Sequence, residues 1–528
     1  AALVIVCGST AWWTRGAQPS PGRPVESSAH ESVTGSQRLL WGALAAVGSV
    51  MLLATTNHIS HDIAVVPLLW VAPLSLYLLT FILCFAGCYP RWTSIAVMLI
   101  LTAYIALDQV GVVAWVTEQL GAEVTSVSGV PENYLAALLT YLLAMTVCCM
   151  VCHGEMVRLQ PPPGRLTSYY LHIAFGGALG GVAVAIGGPL LLTGHYELQI
   201  GMILCWLLLL VVLYHDPRSA WYAGHSIWTW SVASAIYCVF AFGLFFYMLK
   251  PRPGRVAVSR NFYGVLAVNE EHTDDEELHH FELVNGLILH GKQYTRQDKR
   301  HWPTTYYGPE SGVGLAMAFT ADRPNRRVGI VGLGTGSLAV YGTSDNYFRF
   351  YEIDENVVTF SRRYFTYLAD LEQTASRPDI VMGDARVSLE RELQLGQAQN
   401  FDLIVLDAFS SDAIPAHLLT LEAVAIYLQH LRDEPERQGL LAVHISNGYL
   451  DLLPVLQSVA RYHDLTIAQV KSQKNDDAHV YKANWVLLSR PGGLESLLDN
   501  ESSMVPVPSA GDEPVWTDDY TNILSVLE

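Results

Sequence analysis

Cysteine is missing from more than half of this 528-residue chain. All eight cysteines (Cys7, Cys84, Cys88, Cys148, Cys149, Cys152, Cys205, Cys238) precede residue 249, so disulfides and thiolate metal sites are excluded beyond it. Basic charge is also scarce, with 31 Lys+Arg against 49 Asp+Glu and a net charge of −18. That balance excludes a nucleic-acid partner, whose phosphates demand basic surface. It suits cationic substrates, although a solvated acidic surface explains it more simply. Charge of either sign is sparse through Leu249, with 7 Lys+Arg and 10 Asp+Glu, leaving 24 and 39 beyond. The two halves therefore belong to different solvents.

The charge-poor half carries apolar runs near the length that crosses a bilayer, at residues 40–55, 63–86, 94–116, 134–152, 169–192, 198–214 and 227–249. Residues 1–13 resemble the end of another. Seven to eight spans over 1–249 predict a polytopic all-α membrane domain with the lipid bilayer as partner, multi-pass in a bacterial-type inner membrane. Lys250, Arg252, Arg255 and Arg260 follow the last run and predict a cytoplasmic soluble domain. Arg158 and Arg165 predict the same side for the loop after Cys152, yet three runs separate the two loops. One run must then be broken or re-entrant, and Gly176-Gly177-Ala178-Leu179-Gly180-Gly181 with Gly187-Gly188-Pro189 is the candidate. The same small residues at four-residue spacing suit close helix packing.

Cys149-Met150-Val151-Cys152-His153 matches the spacing for covalent haem attachment. It occurs once, within an apolar run, and the expectation is packing cysteines without haem. His58, His61, Asp62, His153, Glu155 and His172 interrupt or flank the runs. Ionisable groups at membrane depth are costly and usually functional; here the expectation is that they lie at the water interface.

The most informative stretch is VGIVGLGTGSLAVYGTSDNYFRFYEID, residues 328–354. An apolar run meets the turn Gly332-Leu333-Gly334-Thr335-Gly336-Ser337, and a second run ends in Glu352, 20 positions after Gly332. Gly332, Gly334 and Gly336 permit positive φ and close backbone approach to a nucleotide, and an acid about 20 residues on accepts ribose hydroxyls. Further runs end in Gly383-Asp384-Ala385, in Asp407, and in Ser446-Asn447-Gly448. In an open parallel sheet ligands sit beyond the carboxyl ends of the strands, where Glu352, Asp384 and Asp407 all fall. No basic residue follows the glycines, unlike a phosphate-binding dinucleotide site. The expected fold is a doubly wound, Rossmann-like α/β domain over 303–528, preceded by a small β-rich segment over 250–302.

The last half of the chain resembles the spermidine synthase family, and within it a membrane-fused bacterial branch. The resemblance is carried by the glycine turn, Glu352-Ile353-Asp354, Gly383-Asp384-Ala385 and 407–415 (DAFSSDAIP). Arg260-Asn261-Phe262-Tyr263-Gly264-Val265, His290-Gly291-Lys292-Gln293, 303–309 (PTTYYGP), Trp516-Thr517-Asp518-Asp519-Tyr520 and the Cys-His-Gly-Glu after Val151 extend it. It implies a transferase with a class I S-adenosylmethionine-type nucleotide site. Glu352 would hold the ribose, Asp384 the adenine amine, and Asp407 would face the transferred group. Gln293 and Tyr306, with Asp407, would contact a small amine or other acceptor. The donor would be S-adenosylmethionine or its decarboxylated form, with aminopropyl transfer to a polyamine the family's activity.

Three departures qualify that implication. Thr335 stands where the family carries an Asp that pairs with the donor's amine. The Asp-x-x-Asp-Pro element is stretched to Asp407…Asp412 with Pro415, and Tyr306-Tyr307-Gly308 replaces Tyr-His-Glu. Asp407 is expected to bind and orient a cationic amine and take up its proton. Asp412 is equally a catalytic acid or the cap of a helix beginning near Ile414-Pro415. Asp518-Asp519 reads as a solvated tail. Methyl transfer from S-adenosylmethionine, a non-catalytic subunit of a membrane complex, and a transporter with a regulatory nucleotide domain are the alternatives; a homodimer also fits.

Overall fold

The computed structural model describes residues 34–62, 68–113, 115, 134–217, 219, 221–222, 226–286, 288–374, 378–408, 415–435, 437–447, 450–475, 479–501, 503–507, 511 and 513–527. It has a bundle of apolar helices followed by two β-sheets.

Six helices among the described residues are long and apolar enough to cross a membrane: Gly35–His61, Arg91–Gln109, Tyr134–Arg158, Pro163–Leu191, Glu197–His215 and Ile227–Leu249. A seventh, Val71–Phe85, has 15 residues and at 1.5 Å per residue falls short of a hydrocarbon core about 30 Å thick. Of the expected run over 63–86, residues 63–67 lie outside the described residues, and Leu68 sits at φ 63°, outside helical conformation, just ahead of Val71–Phe85. Residues 1–13 lie outside the described residues.

The glycine-rich run is not broken, which corrects the expectation. Leu166–Val182 passes through a π-helical turn, Ala183–Gly187, into Gly188–Leu191. Its glycines act by close packing instead. A Cβ on Gly176 would lie 2.1 Å from the Gly42 carbonyl oxygen, and one on Gly180 2.3 Å from that of Ala46. The unbroken helix also corrects the expected topology, because the two basic loops lie at opposite ends of the bundle. Arg158 is absorbed by local ion pairs rather than left to mark a side. Arg91 binds Glu155 through two bonds (2.7 and 3.0 Å) and Asp216 at 2.7 Å, while Arg158 reaches Asp216 at 3.2 Å.

Two polar residues expected at the water interface are instead fully buried. His153 and Glu155 have 0% exposure. His153 meets Thr80 Oγ1 at 3.0 Å and packs against Tyr77 and Phe81. Helix–helix packing covers this face of Tyr134–Arg158, and Arg91 supplies the charge that a buried Glu155 requires. The two thiols of the haem-like motif point into the same interior, Cys149 toward the Gly48 carbonyl at 3.7 Å and Cys152 toward Cys205 Sγ at 3.7 Å.

The opposite end of the bundle meets the first sheet. Strands β1 (Arg255–Asn261), β2 (Gly264–Glu271), β3 (His280–Asn285) and β4 (Ile288–Tyr294) form an antiparallel meander. Arg260 reaches Glu197 at 2.5 Å and the Gly194 carbonyl, and a Cβ on Gly286 would lie 2.9 Å from the His61 carbonyl.

The second sheet has the order β12-β10-β11-β9-β8-β5-β6-β7. Its members are β5 (Arg327–Val331), β6 (Tyr347–Glu352), β7 (Asp379–Met382), β8 (Leu403–Leu406), β9 (Leu440–His444), β10 (Thr466–Ser472), β11 (Ala483–Ser489) and β12 (Met504–Pro506). Strands β5 to β9 pair in parallel, and β10 to β12 add an antiparallel edge. The central strands are apolar throughout because both faces are covered. Val328, Ile330 and Phe350 pack on one face, and Val331, Tyr351 and Leu406 on the other. The chain leaves β5 toward β6 and β7, then returns past it to β8 and β9. The order therefore reverses between β5 and β8, where a doubly wound sheet opens a crevice.

Candidate active site

The crevice is a cavity of about 310 Å³, at the lower end of the range for small-molecule sites. Gly332, Gly334, Glu352, Asp384, Asp407 and Tyr306 line it, brought together from four strand ends and the segment before Gly312–Phe319. The turn glycines have φ of 95°, 55° and 85°, left-handed values that favour glycine. Close approach adds a second reason, since a Cβ on Gly332 would lie 2.5 Å from the Asp407 carbonyl oxygen. Gly336 does not reach the cavity. It heads the short 3₁₀ turn Ser337–Tyr341 and faces Leu368 and Ser361.

Glu352 is buried at the end of β6, with Oε2 accepting from Leu333 N and Oε1 from Asp354 N, each at 2.9 Å. Burial raises its pKa, and those backbone N–H groups oppose the rise. Asp384 caps Ala385–Gln394 through Val387 N (2.9 Å), and its other oxygen meets His417 Nε2 at 3.0 Å. A carboxylate assigned by resemblance to an adenine amine is thus also an ordinary helix cap. Asp354 caps the helix Glu355–Tyr364 and accepts from Asn261 of β1 at 2.7 Å, tying the two sheets together.

Asp407 is the most constrained acid. Tyr307 donates to its Oδ2 at 2.7 Å, and His444 Nδ1 lies 2.7 Å from its Oδ1. A carboxylate oxygen only accepts, so His444 Nδ1–H donates to Asp407. On its far side His444 Nε2 lies 2.8 Å from Ser446 Oγ, which also accepts from Asn484 N. The imidazole is clamped by stacking on buried Trp485, centroids 4.4 Å apart and planes 10° apart. Burial, and then the neighbouring Asp407, push the Tyr307 hydroxyl well above its ordinary pKa, keeping it a donor. Burial lowers the His290 pKa, and Asp407 opposes that. His290 lines the cavity and its Nε2 has no hydrogen-bond partner.

Gln293 is buried outside the cavity, donating to Arg300 O (2.9 Å) and Thr366 Oγ1 (2.8 Å) and accepting from Thr366 N (2.8 Å). Its amide is engaged in joining β4 to Thr366, ahead of the helix Tyr367–Gln373. Asp518 is exposed, as expected of a solvated tail, and anchored there by both terminal guanidinium nitrogens of Arg386 and by Thr420 at 2.8 Å. Asp412 lies outside the described residues. Sequence reasoning missed Tyr307 and His444. His444 carried a signal, since it ends an apolar run at the same strand-end position as the three acids.

The reversed parallel sheet, the left-handed glycine turn and the acids at its strand ends define a doubly wound, Rossmann-like α/β domain with a crevice at its strand-order reversal. Beyond that class, part of the soluble half is similar to a polyamine aminopropyltransferase. Over 129 residues, 24% of this chain, it is 34% identical to the polyamine aminopropyltransferase of Vibrio vulnificus (strain CMCP6). The chain spans 39% of that enzyme's length. No family model matches the chain. A probable spermidine synthase from Corynebacterium glutamicum ATCC 13032 aligns over 52% of this chain and 98% of its own, at 14% identity and a TM-score of 0.34. An O-methyltransferase from Bacillus cereus aligns over 33% and 79%, at 13% identity and a TM-score of 0.24.

Proposed function

We propose that this chain is a multi-pass protein of a bacterial-type cell membrane whose cytoplasmic domain transfers an aminopropyl or related group from a sulfonium nucleoside to an amine. One observation carries the reading: Gly332, Gly334, Glu352, Asp384 and Asp407 line a single cavity at the strand-order reversal. Glu352 is held by two backbone N–H groups, leaving lone pairs for a ribose. In the transfer, an amine lone pair attacks the carbon bound to the sulfonium. The C–S bond breaks with its electron pair left on a neutral thioether, and the amine sheds a proton. Asp407 is suited to attract and orient the amine, its carboxylate fixed in direction by Tyr307 and His444, and it is the acid placed to accept that proton. The lipid bilayer and a small amine are the partners of this reading.

Methyl transfer from S-adenosylmethionine is a second reading, favoured by Thr335. Its hydroxyl is buried against Ser337 Oγ at 2.6 Å and does not line the cavity. The turn therefore offers no carboxylate to an amine-bearing donor. Calorimetry of S-adenosylmethionine against its decarboxylated form tests both readings. Tighter binding of the decarboxylated donor supports aminopropyl transfer, the reverse supports methyl transfer, and binding of neither refutes the nucleotide site.

A further inference from the structure

One wall of the cavity lies beside the end of the helical bundle. That wall is built by Tyr263, Asn285 and Ile288, at the tips of the β1–β2 and β3–β4 hairpins. Gly286, between Asn285 and Ile288, abuts the His61 carbonyl in the last turn of Gly35–His61. Arg260, beside the other tip, grips Glu197 at the start of Glu197–His215. This wall thus lies where two helices long enough to cross a membrane reach their ends.

The surface there suits a lipid boundary. Phe262 is 88% exposed at its hairpin tip, and Leu190 and Leu191 are 78% and 82% exposed on the final helical turn that packs against β1. Lys250 and Arg252 stand exposed at the same end, as expected next to anionic headgroups. Large apolar side chains beside exposed cations mark an interfacial contact rather than ordinary soluble surface.

The interior is graded along the same direction. The small sheet contributes Leu266, Leu283, Ile288 and Leu289 with Asn285 and His290 but, among the described residues, no carboxylate, whereas Glu352, Asp354, Asp384 and Asp407 lie on the strand-end side. A free polyamine carries a second ammonium that would require a carboxylate along the apolar wall. A hydrocarbon chain bearing one terminal amine does not.

We propose that the acceptor is an amphiphilic primary amine that enters from the bilayer, headgroup first, with its apolar part against Tyr263, Leu289 and Ile288. This rests on the transfer chemistry above for its reaction, but the route of entry stands on its own geometry.

The test uses full-length protein in phosphatidylcholine vesicles with and without phosphatidylethanolamine, supplied with each labelled sulfonium donor. Putrescine and spermidine serve as soluble competitors. Label appearing in the lipid only when phosphatidylethanolamine is present is the expected result. Label passing only to the soluble amines overturns the proposal. A photoactivatable long-chain alkylamine in the same vesicles separates entry from turnover: cross-links to peptides containing Tyr263 or Ile288 are expected, and their absence overturns the proposal even if donor binds. If donor fails to bind while these cross-links form, the transferase reading fails and the entry route survives. Phe262→Glu, at an exposed tip where folding is not at stake, should lower lipid-amine labelling relative to soluble-amine labelling about tenfold, one charged side chain opposing interfacial burial.

Discussion

Replacing Glu352 by Gln isolates the contact on which the nucleotide site depends. The carboxylate accepts from Leu333 N and Asp354 N at 2.9 Å each. A glutamine can satisfy only one, and its NH₂ must face the other backbone donor. Hydrogen bonds to charged groups are worth about 1.5–3 kcal/mol, so adenosyl-ligand affinity should fall about 10- to 150-fold at 1.4 kcal/mol per decade. The pH profile gives a second check. Burial holds the Glu352 pKa above its ordinary 4.5, and ribose hydroxyls bind the ionised form. Affinity in the parent should therefore decline as pH falls through that raised pKa, and the variant should lack this inflection. Stability moves the other way: a raised folded pKa favours the protonated fold, so its contribution is present at low pH and lost as pH rises from about 4.5 through the folded value. Calorimetric titrations from pH 4.5 to 8 read the affinities. An unchanged Kd with the parental pH profile in the variant would refute the role assigned to Glu352.

Asp407→Asn should leave donor affinity near that of the parent while turnover falls about 10²- to 10⁴-fold, the range for acid–base groups; equal losses in binding and rate would make Asp407 a positioning residue. Asp402, fully buried, binds Arg437 at 2.8 Å and Arg327 N at 2.9 Å, with Arg432 at 3.3 Å. Burial raises its pKa, but these partners hold it below 3.8; its stabilisation is present above that value and lost as pH falls through the folded pKa. Asp402→Ala should cost about 3–5 kcal/mol at neutral pH, as for breaking a buried pair, measured by denaturant unfolding. Gly180→Leu should separate Leu166–Val182 from Gly35–Asp62, because even its Cβ has no room beside Ala46, and monodisperse yield in detergent should collapse; parental yield would refute the close packing. Peptides carrying Cys149 and Cys152 should show no porphyrin mass increment, since both thiols face the packed interior; a haem stain surviving denaturation would overturn this.

Local features of the chain already determined much of this architecture. The period and length of apolar runs divide it into helical and α/β halves, because lipid-facing helices and buried parallel strands each impose a characteristic hydrophobic pattern. The glycine turn and the strand-end acids Glu352, Asp384 and Asp407 were legible because positive φ and strand termini leave local marks. Tertiary structure alone decided the rest. Gln293 stands in a motif that resembles a binding element, yet its amide is saturated by Arg300 and Thr366, a partnership 73 residues distant in the case of Thr366. His153 and Glu155 read as interfacial because sequence shows only that they end an apolar run; burial depends on Arg91, 64 residues from Glu155. Tyr307 and His444 lie 100 and 37 residues from Asp407. A hydrogen bond requires a direction and a distance of about 3 Å, and spacing along the chain supplies neither for residues that only the folded sheet brings together.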